Sequence, residues 1–241
     1  MLLDIGSFIR TNNIDVRGII HVGAHHGEEA AIYNGLGIEK VVWIEANPML
    51  IDKLKDNVQN NVGHKVFNYA ISEEDNIDIE LIIGANSQTS SVLEFSKAKY
   101  YHPDDAVEVD KFIVKSIRLD TMSNSGLINI NHYNVLVLDI QGAELLALKS
   151  LGDFISGFDL IYTEINLTDH YKDCALLSQI DAYLGRKGFL REQIQITRWH
   201  WGDAIYFKRS GNWFKNYFHS IVMQLKISLN VFIAKKLRKI E

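Results

Sequence analysis

Short β-branched apolar runs alternate with amphipathic stretches along most of this chain. Residues 18–22, 41–44, 66–71, 135–140 and 159–165 are runs of the length expected for strands buried on both faces. Helical spacing between them predicts helices over 49–60, opened by Pro48 at a tolerated position, over 143–151 and over 171–187. Gly23 and Gly27 bracket a tight turn after the first strand, and 28–31 start a further helix. Such alternation predicts an α/β fold, a parallel sheet with helices on both faces. Residues 77–119 break the rhythm, with strands over 77–83 and 107–119 flanking the polar stretch GANSQTSSVLEFSKAKYYHPDD. An insert of that length in a compact domain is more often a functional loop than filler. The body closes with 189–196 and 204–208 around TRWHWGD, an expected antiparallel pair.

Composition narrows the class. At 241 residues, 47% hydrophobic and 23% charged, the chain suits one large domain over 1–209. The single Cys174 excludes an intramolecular disulfide framework and fits a reducing cytoplasm. Asp4 and Arg10 interrupt the first apolar stretch, so no signal peptide is expected. Residues 213–234 are broken by Lys215, His219, Gln224, Lys226 and Asn230 and do not read as a membrane span.

Charge is unevenly placed. Of the net −5, the last 32 residues carry +5 and the preceding 209 carry −10. An acidic body argues against a nucleic-acid surface. In the tail over 210–241, Trp213, Phe214, Phe218, Ile221, Leu225, Leu229 and Phe232 recur at helical spacing beside a basic cluster. This helical extension suits peripheral contact with the inner membrane surface or a dimer partner, or packing on its own domain. The expected location is cytoplasmic.

The chemistry gathers at strand ends. In parallel sheets ligands bind at the carboxyl edge, where Glu45 ends the second strand about 20 residues past the glycine turn, placed to accept from two ribose hydroxyls. A nicotinamide enzyme would want Gly-x-Gly-x-x-Gly; here His25 stands where pyrophosphate needs a glycine, which suits a phosphate-free nucleoside such as S-adenosylmethionine. Asp139 ends the 135–138 run, a candidate general base or metal ligand. Glu144 follows in the first turn of the next helix, as a dipole cap or a substrate contact, and Glu164 ends the following strand. Asp139 and Glu164 are oxygen ligands of the kind a divalent metal takes, but no ligand array of fixed spacing accompanies them, and no metal is expected.

The order IIHVGAHHGEE, VVWIEANP, NYAIS, ANSQTSSV, IRLDTM, LVLDIQGAELLALKSL, IYTEI, YLGRKGF and GDAIYFKR resembles the FkbM family of S-adenosylmethionine-dependent methyltransferases. The resemblance implies a class I, Rossmann-like fold, a seven-stranded mostly parallel sheet with one antiparallel strand near its edge. It also implies methyl transfer to a hydroxyl oxygen of a sugar, glycan or related small molecule. Carried over, Gly23, Ala24 and Gly27 would line the methionine part of the cofactor, Glu45 would hold the ribose, Ala70 with Ile71 would flank the adenine, and Ala46 and Asn47 would also contact the cofactor. Asp139, Glu144 and Glu164 take the family's acidic positions near the methyl, and Ser90 and Ser91 its serine loop. Two positions depart: His21 stands where the glycine motif usually begins with an acid, and Gln141 replaces the Glu of Asp-x-Glu-Gly. His21 keeps a hydrogen bond available for the amino-acid end of the cofactor.

The resulting expectation is in-line displacement with Asp139 as base. His25 and His26 are alternative bases, or one is exposed and the other packs on the turn. Trp199, His200 and Trp201 sit in the last turn, where aromatics stack on a sugar ring or simply pack. Two other readings stay open: an NAD(P)-dependent oxidoreductase, and a non-catalytic cofactor-binding scaffold disabled by the Gln141 change.

Overall fold

A computed structural model describes residues 1–101 and 104–208; the tail over 210–241 lies outside the described residues. The chain enters through α1 (Ile5–Thr11), where Asp4 accepts the Ser7 N–H at 2.8 Å and Ile5, Phe8 and Ile9 face the core. It then builds β1 (Ile19–Val22), α2 (Ala30–Gly35), β2 (Val41–Glu45), a 3-10 turn (Pro48–Leu50), α3 (Ile51–Val58) and β3 (His64–Asn68). The insert follows as β4 (Ala70–Ile71), β5 (Asp78–Gly84), a 3-10 turn (Ser87–Thr89), α4 (Ala98–Tyr101) and β6 (Glu108–Ile117). The second half runs α5 (Leu119–Asn124), β7 (Val135–Leu138), α6 (Glu144–Ser150), β8 (Leu160–Asn166), α7 (Leu177–Arg186), β9 (Phe189–Ile196) and β10 (Trp201–Lys208).

Seven strands form one sheet in the order β3-β2-β1-β7-β8-β10-β9. Every pairing among the first five is parallel, while β10 runs antiparallel to both β8 and β9. This is the expected class I architecture. Side-chain alternation explains why the strands are apolar throughout. Ile20, Val22, Leu136 and Leu138 point to the face covered by α5, α6 and α7, whereas Ile19, Trp43, Val135 and Val137 point to the face covered by α1, α2 and α3. Trp43, Leu54 and Tyr162 are fully enclosed on the second face. Truncating a residue such as Leu54 to alanine costs about 2–5 kcal/mol. On the outer half, a buried ion pair between Arg191 and Asp181 at 2.8 Å, joined by the Tyr206 hydroxyl at 2.8 Å, fixes α7 to the sheet.

Three sequence expectations shift in place. The run 66–71 divides at Tyr69: its first part stays in the main sheet, and Ala70–Ile71 leaves to pair with Ser116 and Ile117 in a second, three-stranded sheet, β4-β6-β5. The helix expected from 28 begins at Ala30, after a turn holding Glu28 and Glu29. The helix expected from 171 begins at Leu177, because Tyr171 and Cys174 pack instead against Ile82 and Phe95 of the insert. Among the described residues no helix is long and apolar enough to cross a membrane.

Candidate active site

The carboxyl ends of β1, β2, β7 and β8, the start of β10 and the insert enclose a cleft of about 410 Å³. Its floor is the glycine turn. Gly23, at φ +82°, donates to Ile44 O at 2.9 Å and lies so close to the Asp139 carbonyl that a Cβ there would run into it. His25 follows with φ +47°, and its N–H donates to Glu45 Oε2 at 2.8 Å. Glu45 Oε1 accepts the Asn47 N–H at 2.7 Å. Burial pushes the Glu45 carboxyl up, against the pull of these amides. Each oxygen keeps a second lone pair for a hydroxyl donor.

Of the residues expected around the cofactor, His21, Gly23, Ala24, His25, Glu45, Ala46, Ala70 and Ile71 line this cleft. Gly27 and Asn47 do not. Gly27 packs on α3, where an added Cβ would stand 2.9 Å from Leu54 Cδ1, and Asn47 caps the following turn by accepting the Met49 N–H at 3.0 Å. His21 is buried, shares a 3.0 Å hydrogen bond between its Nδ1 and the Tyr33 hydroxyl, and stacks on Trp43 at 5.2 Å. Burial drives its pKa down, so the imidazole is neutral.

Opposite the glycine turn stands an acid pair held by an amide. Gln141, with φ +55°, donates through Nε2 to Asp139 Oδ1 at 2.8 Å and Glu164 Oε2 at 2.5 Å. The Tyr171 hydroxyl donates to Gln141 Oε1 at 2.6 Å, and Ser91 Oγ to the Gln141 carbonyl at 2.7 Å. Burial, then the charge of Asp139, raises the Glu164 pKa well above the carboxylate range. Glu144 lies outside the cleft lining and fully buried beneath this turn. Its Oε1 accepts the Ile140 and Gly142 amides at 3.1 Å each, and burial pushes its pKa up to about 7. Ser90 and Ser91 both line the cleft from the insert.

Trp201 opens β10 and lines the cleft, whereas Trp199 and His200 turn toward Tyr101 at ring distances of 6.5 and 5.6 Å. Two further lining residues, Asp203 and Asn166, are not among those the sequence patterns single out. Asp203 pairs in register with Glu164 and accepts from the Tyr162 hydroxyl and the Leu2 N–H; burial raises its pKa. Asn166 pairs with Trp201, is 1% exposed, and has no hydrogen-bond partner among the described residues at either amide atom. Counting two residues on from Glu164 finds Asn166, and reading GDAIYF as a reversed strand puts Asp203 at the rim.

A family model described as the methyltransferase FkbM domain matches residues 21–191. Among curated proteins none matches this sequence. The chain is similar to several solved structures at low identity. Magnesium protoporphyrin IX methyltransferase from Synechocystis PCC 6803 with bound SAM is 9% identical over 85% of this chain and 76% of that one, at TM-score 0.44. TrmK of M. capricolum with S-adenosylhomocysteine is 8% identical over 87% and 70%, at TM-score 0.45. The ribosomal protein L11 methylase of Lactobacillus delbrueckii is 11% identical over 86% and 76%, at TM-score 0.42. The family match covers most of the chain and includes the glycine turn, Glu45, Asp139 and Glu164: the chain belongs to the FkbM family of methyltransferases, with S-adenosylmethionine as its methyl donor.

Proposed function

We propose that this chain methylates a hydroxyl oxygen of a small, uncharged acceptor such as a sugar. The observation that carries this reading is the Asp139–Gln141–Glu164 cluster, set across the cleft from the glycine turn and Glu45. The residues suit the donor. Glu45 offers two carboxylate oxygens for vicinal ribose hydroxyls, and Gly23, which has no side chain to intrude, lines the cleft beside it. When bound, S-adenosylmethionine supplies an electrophilic methyl group on a sulfonium cation.

The chain's own residues supply the rest. Burial and the nearby Asp139 raise the Glu164 pKa, and Asp139, at the end of β7, takes the acceptor hydroxyl proton as the carbon–oxygen bond forms and the carbon–sulfur bond breaks. Gln141 holds the two acids together without adding a charge of its own. Asn166 offers an unspent donor and acceptor to a hydroxyl, with the Trp201 side chain beside it on the same strand pair. Closing this site around the acceptor provides alignment, the largest demand of a displacement at carbon.

Charge supports an acceptor that is not anionic. Seven acids line the cleft, and among the described residues no Lys or Arg does. A phosphate backbone would meet repulsion there, which disfavours nucleic acid. The test is calorimetric titration with S-adenosylmethionine and NADH, followed by S-adenosylhomocysteine release with neutral glycosides and with sugar phosphates. Binding of the sulfonium nucleoside and turnover of a neutral glycoside are expected. Preference for NADH would revive the oxidoreductase reading, cofactor binding without turnover of any acceptor the scaffold reading, and turnover of sugar phosphates alone would overturn the acceptor class.

A further inference from the structure

At the mouth of the cleft, on the turn that runs from Gly23 to the start of α2, the side chains of His25, His26 and Glu28 converge. His25 Nδ1 lies 2.7 Å from Glu28 Oε1, and His26 Nδ1 lies 3.7 Å from the same oxygen. One ligand atom from each of the three residues falls within 4.8 Å of the others. A tetrahedral zinc site with bonds near 2.0–2.1 Å has ligand atoms about 3.3 Å apart. The observed separations of 2.7 and 3.7 Å bracket that spacing, so small side-chain rotations would bring the set into register.

We propose that His25, His26 and Glu28 form a binding site for a divalent transition-metal ion of the zinc class. Two imidazoles and one carboxylate are the donor set such ions take in preference to magnesium or calcium, which favour oxygen alone. The left-handed backbone at His25 is what allows it: with φ +47° there, two successive imidazoles stand with ring centres 4.0 Å apart instead of diverging. The three side chains are between 18% and 47% exposed, which leaves the site reachable from solvent.

A second contact points the same way. His25 Nε2 lies 2.9 Å from Ser87 Oγ, on the 3-10 turn of the insert. A ligating imidazole normally donates its other N–H to an oxygen, which sets the tautomer and the ring orientation. With an ion bound, Nε2–H would donate to Ser87 and Nδ1, which otherwise donates to Glu28, would turn its lone pair to the metal. The ion would therefore act as a clasp, tying the glycine turn to the insert. The same turn supplies the His25 N–H that holds Glu45, so the clasp reaches the ribose-binding acid through one residue.

The proposal is independent of methyl transfer and is tested without it. Full-length protein carrying no histidine tag is stripped with a chelator and titrated with zinc chloride by calorimetry, in parallel with thermal denaturation. One zinc ion per chain with micromolar or tighter affinity, and a raised Tm, are expected. Both are lost in His26→Ala and in Glu28→Gln, and Ser87→Ala weakens binding by about tenfold. His132→Ala, an exposed histidine remote from the cluster in sequence, serves as the control and binds as the parent does. Should one of the two ligand variants misfold by circular dichroism, the other carries the test alone. Unchanged affinity in a folded ligand variant overturns the proposal. So does the absence of micromolar binding to the parent chain.

Discussion

The Tyr171 hydroxyl donates to Gln141 Oε1 at 2.6 Å, and this bond fixes the Gln141 amide from the side opposite the two acids. With its carbonyl oxygen occupied, the NH2 group is directed at Asp139 and Glu164. Tyr171→Phe removes the constraint while keeping the ring that packs on Phe95 at 5.8 Å. The expected result is a fall in kcat of about tenfold, the equivalent of one lost hydrogen bond, with little change in S-adenosylmethionine affinity. Steady-state rates beside calorimetric Kd values check it; equal losses in both would assign Tyr171 to cofactor binding instead.

Buried carboxyls make stability depend on pH. Glu144 titrates near 7 in the folded protein against an ordinary 4.5, and Glu164 is raised as well. Between those two values the native state holds a proton that the unfolded chain has released. The stabilisation is complete below the unfolded value and is lost as pH rises through the folded one. Urea denaturation is expected to show stability falling by roughly 2–3 kcal/mol between about pH 5 and pH 8 from Glu144 alone. Glu144→Gln keeps an acceptor for the Ile140 and Gly142 amides and should flatten much of the slope. An equally steep profile in the variant would clear Glu144 of the effect.

Glu45 has two tasks that substitution can separate. It holds the His25 and Asn47 amides, and it faces the cleft, where the proposed role is to bind the ribose. Glu45→Gln retains one carbonyl acceptor for the turn but loses the charge and half the acceptor capacity. S-adenosylmethionine affinity should drop about tenfold in the Gln variant and by a larger factor in Glu45→Ala, where the turn is released too. Calorimetry that finds both variants binding like the parent would remove Glu45 from the cofactor site.

Asn166 is expected to trade stability for acceptor use. Its unpartnered carboxamide costs about 1–3 kcal/mol in the free protein, the usual penalty for a buried polar group without a hydrogen bond. Asn166→Leu should therefore raise Tm while raising the acceptor KM and leaving cofactor affinity alone. A lowered Tm would show that the amide is satisfied by ordered water in solution.

Local pattern reached some of this architecture and missed the rest for identifiable reasons. The strands were legible because burial on both faces makes each one a continuous apolar run, and Glu45, Asp139 and Glu164 stood out as the acids that end such runs. Spacing does not report the direction of a missing Cβ, so Gly23 and Gly27 looked equivalent although one borders the cleft and the other packs on α3. The departure of Ala70 into the second sheet rests on a pairing with Ser116, nearly fifty positions away. Asp203 and Asn166 enter the site through the register between β8 and β10, which no single segment encodes. The first helix, α1, is too short to show more than one turn of apolar periodicity, with Ile5, Phe8 and Ile9 as its buried face.

The reversed direction of β10 gives this enzyme a replaceable edge. Because the strand runs against its neighbours, its first residues rather than its last arrive beside Glu164, and the short connection over 197–200 is the only chain needed to bring them there. Residues can be exchanged or added in that connection, and Trp201 re-aimed at a differently shaped acceptor, while the seven-strand order and the Gly23–Asp139 contact stay as they are. A change in the shape of the cleft thus has a place to act outside the turn that carries Gly23.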